Sequence, residues 1–206
     1  MSTISCCEPS SGRRHLLESL GIFMEDMEDA HLELLTTLIH PNVTTIDGRI
    51  ANRHAVRAIV QDGDDILLLY TRRYDDYSLP GGGVDEGEDL AAALRRELQE
   101  ETGAQDIQIV SEYGYLDEYR PSLKPDHDVL FMRSYIYVCQ IARELGEAKM
   151  EHYEIKNGME AKWVNLAQAI AHNEQIIATQ SSSMGMSILR ETWLLQRLQD
   201  QAINQR

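Results

Sequence analysis

Acidic side chains are concentrated in one short stretch of the sequence, where Glu97, Glu100 and Glu101 follow one another at helical spacing. Residues three and four apart lie on one face of an α-helix, so these three carboxylates would project together. Like charges held that close raise one another's pKa values and destabilise the helix unless a cation lies among them. The spacing therefore predicts a binding site for a hard divalent cation such as Mg²⁺.

The segment that carries these carboxylates has the composition of a stable helix. Residues 90–101 are strong helix formers, Asp89 is suited to the N-cap, and Gly103 stands where a left-handed C-terminal cap would lie. The opposite face of this helix is apolar and consists of Leu90, Ala93, Leu94 and Leu98. No histidine or cysteine cluster accompanies it, which argues against zinc.

Three consecutive glycines, Gly81, Gly82 and Gly83, precede the acidic helix. Glycine lets the backbone turn sharply and bring peptide groups close to a phosphate or to a neighbouring helix. The segment lacks the Gly-Lys-Ser/Thr of a P-loop, and Glu86 stands where a dinucleotide-binding fingerprint would have its third glycine. The glycines are therefore expected to serve the acidic helix.

Residues 82–103 resemble the Nudix box, the signature of the Nudix hydrolases. Every fixed position of the box is filled, namely by Gly82, Glu88, Arg96, Glu97, Glu100, Glu101 and Gly103. Ala104 is the one soft departure, because the family usually has a larger aliphatic residue there. The resemblance implies an α/β (α+β) Nudix fold, with a mixed β-sheet sandwiched between helices and with N-terminal and C-terminal helical extensions.

The resemblance also implies a reaction, in which water attacks a phosphorus of a diphosphate with the help of Mg²⁺ or Mn²⁺. Glu97, Glu100 and Glu101 would be catalytic and bind the metal, Glu88 would contribute from the loop before the helix, and Arg96 would position the glutamates. The general base stays open between a box glutamate and a carboxylate from a later loop. The later candidates are Glu118, Asp126, Glu151 and Glu160.

Substrate selection is expected outside the acidic helix. Arginines can hold phosphates and tyrosines can stack on a base. The candidate substrate-binding residues are Arg72, Arg73, Gly81, Gly82, Tyr119 and Arg120. In the family a downstream proline accompanies ADP-ribose hydrolysis and a tyrosine accompanies diadenosine polyphosphates, but Tyr119 and Pro121 both occur here.

We therefore expect hydrolysis of a nucleoside diphosphate derivative such as ADP-ribose or a dinucleoside polyphosphate. A nucleoside triphosphate pyrophosphohydrolase is the alternative. A non-catalytic Nudix-fold module that binds a ligand is a further one.

The rest of the chain supplies the elements around the site. Strands are predicted around residues 56–60, 66–70, 107–115 and 129–141, with a polar loop at 117–128, a strand that enters a helix over 160–173, and a last helix over 188–202. An amphipathic helix is predicted over 14–38, either as a homodimer-forming arm or folded back on its own domain. The predicted division is an arm at 1–45, a Nudix hydrolase domain at 46–178, and a C-terminal helix at 179–206 that packs on the core.

Charge and composition limit the partners of the protein. The formal net charge of −15 would repel a nucleic-acid backbone but leaves a small phosphorylated nucleotide possible. The sequence lacks a signal peptide and a long apolar run, so we expect a cytoplasmic protein that does not enter membranes. Three unevenly spaced cysteines are expected to be reduced thiols.

Overall fold

The computed structural model describes residues 32–180 and 184–204. Most of the helix predicted over 14–38 lies outside these residues, and the end of that prediction is wrong. Leu34–Ile39 forms strand β1, which pairs in parallel with residues Tyr115 to Tyr119. The segment combines leucines with β-branched threonine and isoleucine, so a partner strand far along the chain decides its conformation.

β1 belongs to a four-stranded sheet in which the strand order is β1-β6-β7-β2. The two outer pairs are parallel and the central β6-β7 pair is antiparallel. The other strands are β2 (Ile50–Ile59), β6 (Gln108–Pro121) and β7 (Val129–Gln140). The predicted polar loop at 117–128 is too long, because antiparallel pairing continues to Pro121 opposite Val129.

A second sheet is organised around β4 (Asp65–Thr71), whose residues 66–69 are almost completely buried. β4 pairs with β8 on one side and with β3 and then β5 on the other. These partners are β3 (Gln61–Asp62), β5 (Asp76–Ser78) and β8 (Met159–Asn165). The predicted hairpin at 61–65 is confirmed, and Gly63 provides the positive φ of 60° at its turn.

Four helices accompany the strands in the described residues. They are α1 (Leu90–Thr102), α2 (His152–Asn157), α3 (Leu166–Thr179) and α4 (Ile188–Asn204). α4 packs Leu194, Leu195 and Leu198 into the core that contains Leu116 and Ile136 of the first sheet. The last helix thus packs on the core, and the predicted mixed α/β architecture is confirmed.

No helix in the described part of the chain is both long enough and apolar enough to cross a membrane. The cytoplasmic location and the homodimer stay predictions.

Candidate active site at the glycine turn and α1

The glycine turn, residues 79–83, runs along the edge of β2 that is not paired with β7. Val56 donates its amide to the Gly82 oxygen at 3.0 Å, and Ala58 donates to the Pro80 oxygen at 2.9 Å. Gly81 has a φ of 131°, and a Cβ there would lie 2.1 Å from the Val56 carbonyl oxygen. A side chain at residue 81 is thus excluded by both backbone conformation and close approach.

α1 begins and ends where the sequence predicts. The Asp89 side chain accepts a hydrogen bond from the Ala92 amide at 3.0 Å, and Gly103 closes the helix with a φ of 70°. Ala93, Leu94 and Leu98 are fully buried, which confirms most of the predicted apolar face. Glu101 is buried as well, with only 3% of its surface exposed. The three glutamates of the acidic face therefore have different environments.

Arg96 holds three of the predicted carboxylates around one guanidinium. Its Nε and Nη2 donate to the two Glu88 oxygens, both at 2.8 Å, and its Nη1 donates to Glu97 at 2.8 Å and to Glu100 at 3.4 Å. Nη2 also donates to the Gly83 carbonyl at 3.1 Å. These hydrogen bonds lower the pKa of Glu88 to about 2 and raise the pKa of Arg96. The loop before α1 is thereby fixed to the helix.

Glu101 lies apart from that cluster, against the glycine turn. Its Oε2 accepts a hydrogen bond from the Gly81 amide at 2.5 Å. Burial raises the pKa of Glu101 well above its usual value, the charges of Glu97 and Glu154 raise it further, and Arg57 and the Gly81 amide oppose the change. Burial also raises the pKa of Glu97, against the effect of Arg96. Both carboxylates are therefore short of positive charge.

The donor set of this site fits a hard divalent cation, although the carboxylates are not all gathered in one place. No group of three or more His, Cys, Asp or Glu side chains in the described residues is close enough to hold a metal ion by itself. Glu97 and Glu101 nevertheless lie beside consecutive glycines: the Glu97 carboxylate fills the space of a Cβ at Gly82, and Glu101 binds the Gly81 amide. Mg²⁺ needs only one or two protein carboxylates, because waters and substrate phosphates complete its shell.

Two arginines of β2 were missed by sequence reasoning. Arg53 and Arg57 are four residues apart on the strand and therefore lie on one face of it, with the Arg53 Nη2 only 2.9 Å from the position of a Cβ at Gly83. Arg120 of β6 joins them: burial lowers its pKa, and the positive charges of Arg190, Arg53 and Arg57 lower it further. The strand predicted around 56–60 contains Arg57 but not Arg53, because β2 begins earlier, at Ile50.

The buried Nε atoms of Arg57 and Arg120 have no hydrogen-bond partner. Arg57 Nε instead lies 3.8 Å from a Glu191 oxygen, so its charge faces a carboxylate of α4.

The other predicted substrate residues lie elsewhere on the domain. Arg72 and Arg73 are exposed in the turn between β4 and β5, where Arg73 donates to the Asn157 side chain at 3.1 Å. Tyr119 is half-buried on β6, and its ring packs against Phe131 with the ring centroids 5.1 Å apart. The contacts of these three residues connect strands and turns to one another.

The four later carboxylates suggested as general base have other partners or positions. Glu118 is buried in an ion pair with Arg190 at 2.8 Å, and Glu151 is the exposed N-cap residue of α2. Asp126 pairs with its neighbour His127, and Glu160 pairs with Lys162. No hydrogen bond or ion pair joins any of the four to a residue of α1 in the described part of the chain.

Glu154 of α2 is a buried carboxylate that the sequence did not reveal. The segment before α2 follows the end of α1, with the Lys149 amide donating to the Glu100 carbonyl at 2.7 Å. Only 3% of Glu154 is exposed, and its side chain accepts hydrogen bonds from the Glu151 amide at 2.7 Å and the Tyr153 hydroxyl at 3.0 Å. The negative charge of Glu154 raises the pKa of Glu101. α2 therefore places a carboxylate beside the buried end of the acidic face.

The fold and the site define a mixed α/β domain in which a capped, carboxylate-bearing helix faces a glycine turn on a strand edge. Residues 51–182 match the NUDIX domain, which is well over half of the chain. The chain therefore belongs to the Nudix family, as the box at residues 82–103 predicts.

Individual relatives match shorter stretches. An RNA pyrophosphohydrolase from Bartonella henselae is 45% identical over 49 residues, which are 24% of this chain and 28% of that protein. An 8-oxo-(d)GTP phosphatase from Mycolicibacterium smegmatis is 46% identical over 39 residues, 19% of this chain and 12% of that protein. The chain thus spans less than a third of the length of these relatives.

Among solved structures, a NUDIX hydrolase from Nitrosomonas europaea aligns with a TM-score of 0.47 and 18% identity. The alignment covers 62% of this chain and 87% of that one.

Proposed function

We propose that the protein is a metal-dependent pyrophosphohydrolase that cleaves the diphosphate of a nucleoside diphosphate derivative, such as ADP-ribose or a dinucleoside polyphosphate. One observation carries the proposal: the buried Glu101 and the half-buried Glu97 lie against consecutive glycines of the Gly81–Gly82 turn. Burial raises the pKa of both carboxylates, and a divalent cation would supply the missing positive charge.

Glu97 and Glu101 would hold Mg²⁺ or Mn²⁺, and Glu100 is the next carboxylate along the same helix. The bound cation would neutralise charge on the diphosphate and lower the pKa of an attacking water. Arg96 keeps Glu88 and Glu97 in place through charge-assisted hydrogen bonds, so its role is to position ligands. Glu88 acts through Arg96, since both of its oxygens are bonded to that guanidinium.

Glu154 is the carboxylate best placed to accept the proton from the attacking water. It lies close enough for its charge to raise the pKa of Glu101, and it comes from a segment after the acidic helix. The hydrogen bond from the Tyr153 hydroxyl fixes one of its oxygens. A general base must be held within reach of the proton it removes, and this arrangement supplies the fixed position.

The substrate would bind its phosphates at the arginines beside the glycine turn. Arg53 is exposed next to Gly83, and Arg57 lies on the same face of β2. Guanidinium groups suit phosphate oxygens because they donate several hydrogen bonds in one plane. Arg120 was a predicted substrate residue, whereas Arg53 and Arg57 of β2 take the place of the predicted Arg72 and Arg73, which lie in the turn between β4 and β5.

The names of the relatives suggest two alternative substrates, an RNA end and a modified guanosine triphosphate. The formal net charge of −15 disfavours a long polyanion, because few phosphate contacts could form outside one cleft. A nucleoside triphosphate carries its charge on one compact group and stays the second candidate. The preference for a diphosphate derivative follows from the family resemblance.

The test is phosphate or nucleotide release from a panel of nucleoside diphosphate derivatives, dinucleoside polyphosphates, nucleoside triphosphates and a short triphosphorylated RNA. Each is assayed with Mg²⁺, with Mn²⁺ and with chelator. Glu101→Gln is the inactive control variant, because glutamine keeps the length of the side chain and can still accept the hydrogen bond from the Gly81 amide. Loss of a metal ligand and its charge should reduce turnover by about 10²- to 10³-fold, the usual effect of removing a single charge-stabilising group.

The Glu101→Gln variant should stay folded, because glutamine removes a buried charge that costs the folded state free energy. Turnover of one substrate class that requires metal and disappears in Glu101→Gln would establish the reaction and its class. Unchanged turnover in Glu101→Gln would exclude the acidic helix as the catalytic element. Ligand-induced stabilisation without turnover of any compound would favour the non-catalytic binding module.

A further inference from the structure

The first turn of α4 contains a buried charged pair that the proposed chemistry does not use. Arg190 and Glu191 are each 1% exposed. Arg190 donates to Glu118 at 2.8 Å through Nη1 and to Glu191 at 2.6 Å through Nη2. Burying such charges costs free energy, and the apolar residues of α4, such as Leu194, already dock the helix on the core. The pair therefore needs an explanation other than helix packing.

Glu191 connects α4 to the glycine turn. Its Oε1 faces Arg190, while its Oε2 accepts a hydrogen bond from the Leu79 amide at 3.0 Å. Leu79 is fully buried and precedes Gly81 by two residues. The Gly81 amide in turn donates to Glu101 of α1. One short peptide is thus held by a carboxylate of α4 at one end and by a carboxylate of α1 at the other.

Arg57 provides a second connection between the same two carboxylates. Its Nε lies 3.8 Å from Glu191 Oε1, and its side chain is only 13% exposed. Burial raises the pKa of Glu101, and the charge of Arg57 opposes that effect. Burial also acts to raise the pKa of Glu191, but Arg190 and then Arg57 hold it below its usual value. A displaced Glu191 would leave both Arg57 and the turn without their anchor.

We propose that Glu191 is a positioning residue, which fixes the Leu79–Gly81 peptide and Arg57 and thereby places Glu101 for metal binding and catalysis. The catalytic part of this inference rests on the proposed hydrolysis. The anchoring part concerns only the turn and stands without it. The C-terminal helix is then part of the active-site scaffold as well as a cover for the core.

The experiment compares Glu191→Gln with Leu194→Ala on the full chain. Glutamine keeps one oxygen acceptor but removes the charge that Arg190 and Arg57 require, so it cannot satisfy the guanidinium groups and the Leu79 amide together. We expect kcat to fall by about 10- to 100-fold with a much smaller change in KM, because a displacement of about 1 Å can cost 10²-fold. Hydrogen exchange in the peptides that cover residues 79–83 should become faster.

Leu194→Ala should lower the melting temperature but leave kcat nearly unchanged below the melt, because its apolar side chain packs in the same core as Leu79 but gives the turn neither a hydrogen bond nor a charge. Equal losses of kcat in both variants would reduce Glu191 to a stability residue and overturn the proposal. So would unchanged exchange at residues 79–83 in Glu191→Gln.

If Glu191→Gln does not fold, Glu191→Asp replaces it. Aspartate keeps the charge near Arg190 but shortens the reach to the Leu79 amide, so exchange at the turn should accelerate while the ion pair survives. Should the wild type hydrolyse nothing in the panel, the proposed function fails. The exchange measurement still decides the anchoring, and normal protection of the turn in Glu191→Asp would refute it.

Discussion

Substitution of two adjacent glycines of the turn by alanine should have different effects: Gly82→Ala should lower activity, and Gly81→Ala should lower stability. A Cβ at Gly82 would lie 2.5 to 2.6 Å from the three carboxylate atoms of Glu97. A Cβ at Gly81 would lie 2.1 Å from the carbonyl oxygen of Val56, and Gly81 has a φ of 131°. Alanine at residue 82 meets the end of a flexible side chain, whereas alanine at residue 81 meets backbone.

The magnitudes follow from these contacts. Ordinary contact begins at 3.4 Å, so Gly82→Ala must push the Glu97 carboxylate away by about 1 Å. Such a displacement of a proposed metal ligand should lower kcat by about 10²-fold. The free energy of unfolding should change by less than about 1 kcal/mol, because the carboxylate can rotate and alanine restricts the unfolded chain.

Gly81→Ala should instead destabilise the fold. Forcing a non-glycine residue into this backbone conformation costs about 1 to 3 kcal/mol before the clash with Val56 is counted. This strain alone should lower the melting temperature by about 2 to 12 °C, since each kcal/mol corresponds to about 2 to 4 °C in a chain of this size. Gly82→Ala should melt within a few degrees of the wild type, on the order of its small change in free energy.

The assay combines thermal melts of both variants with metal-dependent turnover of the best substrate in the panel. Full turnover by Gly82→Ala would refute the role of Glu97 beside the glycine turn. A loss of stability in Gly82→Ala equal to that in Gly81→Ala would refute the assignment of the first contact to a movable side chain.

Two further predictions concern carboxylates outside the acidic helix. Burial raises the pKa of Asp76 to about 6, and the charges of Glu191 and Asp75 add to this effect. The free energy of unfolding therefore falls as the pH rises from about 4 to 6, by about 3 kcal/mol in total at neutral pH. Asp76→Asn should therefore raise the melting temperature more at about pH 7.5 than at about pH 5, and an equal rise at both would contradict this. Glu154→Gln should lower kcat by about 10²- to 10⁴-fold in a turnover assay, whereas the control Glu151→Gln, at the start of the same helix, should have little effect. Similar rates for the two variants would exclude Glu154 as general base.

The local features of the site could be predicted because they depend on short-range interactions. The Asp89 cap, the left-handed Gly103 and the apolar face of α1 follow from helix propensity and spacing within 15 residues, 89–103. The hairpin at 61–65 follows from a turn-forming sequence between two β-prone segments. The box glutamates could be named from their spacing, although their different burial could not.

Long-range pairing caused the errors. Residues 34–38 suit either a helix or a strand, and their parallel alignment with β6, about 80 residues later, decides for strand. Residues 117–121 are polar enough for a loop, but the ladder with β7 extends through them. Glu154 was missed because only the path of the chain from Gly103 to α2 brings it beside Glu101.

The sequence by itself therefore determined the family, the acidic helix with its caps, and the residue types that can hold a divalent cation, because each is encoded within a short stretch. Only the tertiary structure decided which carboxylate is buried and which arginines face the turn. It also decided that Glu191 of the last helix anchors Leu79. Burial and charge compensation depend on residues that are distant along the chain, and their effects on Glu101 appear only when the sheets and helices are packed together.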